Sequence, residues 1–369
     1  MSNAPVYFAS LSHVSGRNGI FERLERLMKK VEIKERFLED TIPLVKLHFG
    51  ENGSSAFVKP VFVRHMVEVM QSWGINPFLG DTNTLYVGER SDSVSHLRCA
   101  YRNGFAYGAM GAPVIIMDGL RGQSGVEFPP IKESPQIFLA ADAVNADGAI
   151  VLSHFKLHLL LGFGGAIKNI GMGCASRRGK LVQHSTVRPQ VGEGCILCGR
   201  CKTSCASQAI VLDQKTARID PDLCVGCAEC IAVCPKEAIG FDWDVNSTQI
   251  MHYMTEYAAV YLKNVKGPTT FFNFVMDVTP DCDCFGHSDY PIVPDIGILA
   301  SNDPVALDQA SIDLVNRSQG FVDSRLSLRG REPGQDKIRS IYPDIDYSQQ
   351  LDYAEAIGLG TRQYELINI

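Results

Sequence analysis

CILCGRCKTSCASQAI at residues 195–210 and CVGCAECIAVCPKEAI at 224–239 are two copies of one pattern, and their reading decides how the whole chain is organised. Each copy spaces four cysteines C-x2-C-x2-C-x3-C: Cys195, Cys198, Cys201 and Cys205, then Cys224, Cys227, Cys230 and Cys234. This is the thiolate spacing that holds a pair of [4Fe–4S] clusters, in which the fourth cysteine of each run crosses to the other cluster. The crossing assigns Cys195, Cys198, Cys201 and Cys234 to cluster 1, and Cys224, Cys227, Cys230 and Cys205 to cluster 2. Pro235 follows the second run, whereas Ala206 stands at that place in the first. Zinc sites built from CxxC pairs need only four ligands per ion and leave the triplets unexplained.

A segment of this kind, residues 190–242, is far too short to account for 369 residues. Around it, apolar strand-like runs alternate with amphipathic ones. Strands are expected at Val6–Leu11, Thr41–Phe49, Pro77–Asp81, Pro113–Asp118, Ala149–Ser153, Thr269–Phe274 and Ile296–Ala300. Helices are expected at Ile20–Arg36, Lys59–Trp73, Val94–Asn103, Ser134–Val144, Ile250–Leu262 and Asp303–Val315, with a last one near Tyr347–Ile357 after a polar surface loop. Strands alternating with helices argue for an α/β fold with a layered, mostly parallel sheet. The alternation resumes after Trp243, and only two clear strands remain there, too few for a self-sufficient domain. We therefore expect one discontinuous α/β domain, 1–189 and 243–369, interrupted by a small α+β dicluster ferredoxin-like insert at 190–242.

Apolar residues make up 45% of the chain and charged ones 21%, as in a folded globular protein. A net charge of −6 with no long basic run disfavours a nucleic-acid partner. No apolar stretch approaches the length of a membrane span, and the N-terminal residues do not form a signal peptide. Cysteine usage fits a reducing cytoplasm rather than a disulfide scaffold, and exposed clusters suit an organism living with little oxygen.

Outside the cysteine runs, the most unusual segment is HFKLH at 154–158 followed by GFGGAIKN at 162–169, GMGC at 171–174 and RRGK at 177–180. Gly162, Gly164 and Gly165 would let backbone amides approach an anion, with Lys168, Asn169, Arg177, Arg178 and Lys180 around it. The spacing is neither a Walker loop nor a dinucleotide fingerprint. The anion would be a phosphate or carboxylate, and a flavin phosphate would fit; the alternative is a packed glycine turn with solvated cations. Cys282 and Cys284 in DCDCFGH, with His287 and Cys174, are candidates for an additional metal site, against the alternative of reduced thiols packed in a loop. A Cys282–Cys284 disulfide would close too small a ring. His154 and His158 would share a face if helical. Polar residues cluster after three strands: Lys46, His48 and Glu51; Asp81, Asn83, Tyr86 and Arg90; Asp118 and Arg121. Ligands of open α/β sheets bind beyond such strand ends, although Asp and Thr also cap the following helices.

The strings VKLHFGE, FLGDTNTLYVGER, PVIIMDGLRG, HFKLH…GFGGAIKNIGMGCASRRGK, DCDC and PDIGILASNDPVALDQAS resemble the DUF362 family of iron–sulfur proteins, from roughly Val45 to Val315. That family name records no reaction. Over about fifteen residues GFGGAIKNIGMG is also similar to the glycine-rich turn of the lactate-racemase family, which implies a cleft between α/β layers. The sequence thus points to an iron–sulfur oxidoreductase that exchanges electrons with a soluble carrier protein. Its second site would be lined by Lys46, His48, Asp81, Asn83, His154, Lys168, Asn169, Cys174, Cys282 and Cys284. Among these, His48, Asp81, His154 and Lys168 are the catalytic candidates. A relay module without catalysis, and a metal sensor or delivery protein using Cys174, Cys282 and Cys284, are the alternatives.

Overall fold

The computed structural model describes residues 3–11, 19–184, 189–205, 207–224, 228–240 and 246–369. Cys227 and Ala206, and the expected boundary at 242/243 with Trp243, lie outside them. An eight-stranded sheet organises the molecule. In chain order its strands are β1 (Ala4–Ser10), β2 (Leu44–Lys46), β3 (Phe78–Asp81), β4 (Val114–Ile116), β5 (Ala149–His154), β6 (Thr269–Val275), β7 (Gly297–Ser301) and β8 (Tyr364–Asn368). In space the order is β8-β1-β7-β6-β5-β2-β3-β4. Only β7 runs antiparallel to its neighbours, pairing Tyr7 with Ala300 on one side and Phe272 with Ala300 on the other. The remaining ladders are parallel, so the fold is mostly parallel α/β.

The central strands are buried along their whole length because both faces are covered. Val151, Phe271 and Leu299 point to one core, with helices α4 (Ala166–Gly171), α6 (Ser247–Asn264) and α7 (Pro304–Arg317); α5 (Arg177–His184) follows α4 in the chain. Ile150, Leu152, Phe272 and Ile298 point to the other, with α1 (Ile20–Lys30) and α2 (Pro60–Ser72). The period-two alternation of each strand therefore divides its side chains between two helical layers. Helix α3 (Ser93–Arg102) is capped by Asp92, whose carboxylate accepts from the amides of Val94 and Ser95. Asp303 does the same for α7.

All seven expected strands are present, and three expectations need correction. Ser134–Val144 is not one helix: Ile137–Ala140 pairs as a strand with Gly125–Phe128, and only Ala141–Asn145 is helical. Ile20–Arg36 breaks at Glu32, whose φ of 60° is left-handed, leaving a separate turn at Ile33–Arg36. His154 and His158 are not helical: His154 ends β5, and Lys156–His158 pairs with Gly162–Gly164 in a hairpin. The edge strand β8 follows the last helix, α8 (Ser348–Ala356), and its half-buried residues carry too weak an apolar run to be read. The described residues between 190 and 240 form two two-stranded ladders and two short helices around their own small core. Leu85 and Leu181 of the surrounding chain pack into that core. No helix among the described residues is long and apolar enough to cross a membrane.

Candidate functional site

The two cysteine runs fold alike down to single backbone angles. Arg200–Ser204 and Glu229–Ala232 are equivalent helical turns, entered through left-handed residues at Gly199 and Ala228. Gln208 and Glu237, again equivalent, hold φ of 55° and 51°. Side chains seldom adopt that region, so both arms are over-determined by what surrounds them. The last cysteine of each run accepts a backbone hydrogen bond at sulfur: Ala209 N–H donates to Cys205 Sγ over 3.3 Å, and Ala238 N–H to Cys234 Sγ over 3.2 Å.

Two cavities lie between the arms. One is lined by Cys195, Cys198, Cys201 and Cys234. The other is lined by Cys205, Cys224, Cys230 and Glu229. In each, the last cysteine of one run faces the others from across the segment. Among the described residues no three His, Cys, Asp or Glu side chains close around a single ion.

A second concentration of polar chemistry is buried beyond the carboxyl ends of β2, β3, β4 and β5. Lys46 Nζ donates to Asp81 Oδ1 at 2.9 Å and to Asn169 Oδ1 at 3.0 Å. Burial alone would raise the Asp81 carboxyl, but Lys46, His48, His96 and Arg90 outweigh it and hold it well below the usual range. Arg90 Nε donates to Glu51 Oε2 at 2.9 Å and its second nitrogen to the Tyr86 hydroxyl at 2.8 Å. Gly50 N–H donates to His48 Nδ1, which leaves the proton of a neutral ring on Nε2; burial and then Arg90 push this imidazole well below its ordinary value. Asn83 donates to Asp118 Oδ1 from both its backbone and its side chain. Lys180 Nζ donates to Thr82 Oγ1 and to the carbonyls of Asn83 and Ala175. Burial lowers this ammonium to about 8 in spite of Asp118 and Asp81. Asp81 Oδ2, Asn83 Oδ1, Asp118 Oδ2 and both ring nitrogens of His96 are buried without a hydrogen-bond partner among the described residues.

Next to this group, His154 Nδ1 lies 2.8 Å from Asp283 Oδ1, and Lys156 Nζ 2.9 Å from Asp283 Oδ2. Lys168 Nζ donates to Cys282 Sγ at 3.3 Å, and the Cys284 amide to the same sulfur at 3.4 Å. The Cys284 thiol, Lys168 and His158 hold the Cys282 thiol well below its usual range, and the shared bond pushes Cys284 up.

The structure therefore brings Lys46, His48, Asp81, Asn83 and Asn169 together with Lys180, and groups His154, His158, Lys168, Cys282 and Cys284 beside them. Cys174 lies beside the first of these groups, where Lys46 and Asp81 act on it, and it meets the Tyr261 hydroxyl; burial pushes its thiol up to about 12. His287 is exposed and stacks on Phe285, so it does not join Cys282. Arg178 lies over the Phe138 ring, away from the others. The glycine turn departs most from expectation. Asp308 accepts from the amides of Ala166 and Ile167 at 2.8 and 3.0 Å, so the amides meant for a bound anion are held by an internal carboxylate. A Cβ on Gly165 would overlap Asp308 Oδ1, and one on Gly162, with φ +74°, would overlap Tyr347. Both glycines therefore permit close packing. Arg177 is wholly buried and ion-paired to Glu229 at 2.6 Å. Sequence reasoning misses Asp308, His96 and Glu229. Asn273, a lone amide between Phe272 and Phe274 that donates to Asp308 at 2.8 Å, is the available signal.

The family model described as "Domain of unknown function (DUF362)" matches residues 44–313. Among curated proteins, a 137-residue stretch is 33% identical to indolepyruvate oxidoreductase subunit IorA of Archaeoglobus fulgidus, covering 36% of this chain. A 46-residue stretch is 41% identical to a component of the ion-translocating oxidoreductase complex of Methanosarcina acetivorans, covering 12% of this chain. The matches span only 19% and 17% of those relatives' own lengths. Among solved structures, the lactate racemase apoprotein of Thermoanaerobacterium thermosaccharolyticum aligns at 10% identity and a TM-score of 0.41, over 86% of this chain and 58% of that one. A Thermotoga maritima protein aligns at 9% identity and a TM-score of 0.48, over 85% and 63%.

Proposed function

The chain belongs to the DUF362 family, and from its own residues we propose that it is an iron–sulfur electron-transfer protein serving a ligand site in its α/β layers. One observation carries this reading: the two cavities are lined by crossed cysteine sets, Cys195, Cys198, Cys201 with Cys234, and Cys224, Cys230 with Cys205. Thiolate is the donor that iron–sulfur clusters take, and the amides of Ala209 and Ala238 directed at the crossing sulfurs are of the kind that tunes such centres. Bound there, [4Fe–4S] clusters would accept and release single electrons. Local identity to components of two oxidoreductases supports the redox theme. In this reading residues 190–242 are a ferredoxin-like insert that receives electrons from a carrier protein.

The rest of the chain supplies binding and orientation. Asn83 Oδ1 and Asp118 Oδ2 are buried acceptors still lacking donors, and Asp81 Oδ2 has only His96 at 3.6 Å and Arg90 at 4.0 Å, which suits a ligand rich in hydrogen-bond donors. Lys46, itself held by Asn169, orients Asp81, while the Cys282 sulfur beside Lys168 lies next to that group.

The experiment is anaerobic purification, metal and acid-labile sulfide analysis, and absorption spectra before and after dithionite. About eight iron atoms per chain are expected for two [4Fe–4S] clusters, with a broad visible band that bleaches. Zinc in place of iron, or far less iron after reconstitution, overturns the reading.

A further inference from the structure

The two cavities differ in what lies beyond them. Around the first, Cys198 and Ile196 are exposed, Ile196 by 57%. Apart from Pro189 in the second, the residues lining both cavities come from the cysteine segment itself, so the difference lies in what their walls touch. The second carries Glu229 in its wall, and that carboxylate is 2% exposed. Its two oxygens are taken by different cations from the α/β layers. Arg177 binds Oε2 at 2.6 Å and Arg121 binds Oε1 at 3.2 Å. Arg177 has no exposed surface, and its guanidinium also donates to the carbonyls of Thr84, Arg121 and Ser91. Those carbonyls belong to the loops after β3 and β4, the same loops that present Asn83, Arg90 and Asp118. One guanidinium therefore joins the wall of the second cavity to the backbone that shapes the polar site.

We propose that Arg177 is a positioning residue that acts through Glu229: it seats the second cysteine cavity, not the first, against the α/β polar site. Cluster 2 is then the inner centre and cluster 1 the outer one facing an external carrier. The proposal rests on the two-cluster reading and adds an order and an electrostatic joint to it. A buried planar guanidinium suits the task, since it satisfies a carboxylate and several carbonyls in one fixed geometry.

The joint has a readable consequence. Adding an electron to a cluster adds negative charge, so a fixed charge in the cavity wall shifts its midpoint potential. Arg177→Gln leaves Glu229 undercompensated and should lower the potential of cluster 2. Glu229→Gln leaves Arg177 and Arg121 in excess and should raise it. Cluster 1 should hold its potential in both variants. Mediated redox titration of the full chain, followed by electron paramagnetic resonance, reads these shifts. The cluster 2 signal is identified as the one perturbed in Cys224→Ser. Opposite shifts confined to cluster 2 support the joint, because structural loosening has no reason to reverse sign between the two variants. Shifts of one sign, equal shifts of both clusters, or none would overturn it. Arg121 is half-exposed, so Arg121→Gln tests the same charge without burying a defect; it should lower the same potential by less than Arg177→Gln. Iron analysis separates the failures: a chain without about eight iron atoms defeats the two-cluster reading, while a full chain with unmoved potentials defeats only the joint.

Discussion

At Lys180 burial outweighs attraction. Asp118 and Asp81 favour its charged form, but desolvation brings the ammonium down to about 8. An unfolded lysine keeps its proton to about 10.4. Between those values unfolding takes up a proton, so stability rises with pH across that window. Lys180→Met removes this slope. Denaturant midpoints from pH 7 to 10 should show wild type gaining on the variant above pH 8, by at most ~3 kcal/mol; a constant difference would contradict the burial argument. A second residue effect concerns Cys282, whose sulfur accepts from Lys168 at 3.3 Å. Lys168→Met should move the midpoint of iodoacetamide labelling at Cys282, followed by mass spectrometry, to higher pH. An unmoved midpoint would mean that the Cys284 hydrogen bond alone sets it.

Among the elements, α4 depends on a carboxylate from α7. Asp308 holds the amides of Ala166 and Ile167 and the Asn273 side chain, all buried. Asp308→Ala orphans three donors and should cost ~3 kcal/mol in urea unfolding. Gly165→Ala drives a methyl into the same carboxylate and should cost ~2 kcal/mol. The double variant should cost less than the sum, because both changes act on one contact. This element also marks what sequence can tell. Strand cores such as Ala149–His154 are legible because apolar runs of that length have few alternatives. The glycine turn reads as an anion cradle, since its residue types are the same whether the anion is a ligand or Asp308, 142 positions away from Ala166 in the chain. Ile137–Ala140 reads as helix because a short apolar run before an alanine-rich stretch fits either period.

For the whole molecule, strands from both sides of the cysteine segment share one sheet: β5 pairs with β6 over Thr269–Phe274. That continuity is legible as resumed alternation. The seam is not, because Glu229, Arg177 and Arg121 are ordinary charged residues until the fold brings them together. Excising residues 190–242 with a short linker should leave the far-ultraviolet spectrum of an α/β protein but bind no iron. The excision also strands Arg177 without its carboxylate, which costs several kcal/mol. Adding Arg177→Met should recover part of that stability, and no recovery would mean that the pair contributes little. The central claim is crossed ligation of two clusters, and paired serine variants test it most directly. Cys201→Ser and Cys234→Ser, each purified without oxygen and followed by electron paramagnetic resonance, should disturb one and the same cluster while Cys205→Ser disturbs the other. If Cys201→Ser and Cys234→Ser damage different clusters, the two cavities are not crossed sites and the ligation proposed for them is wrong.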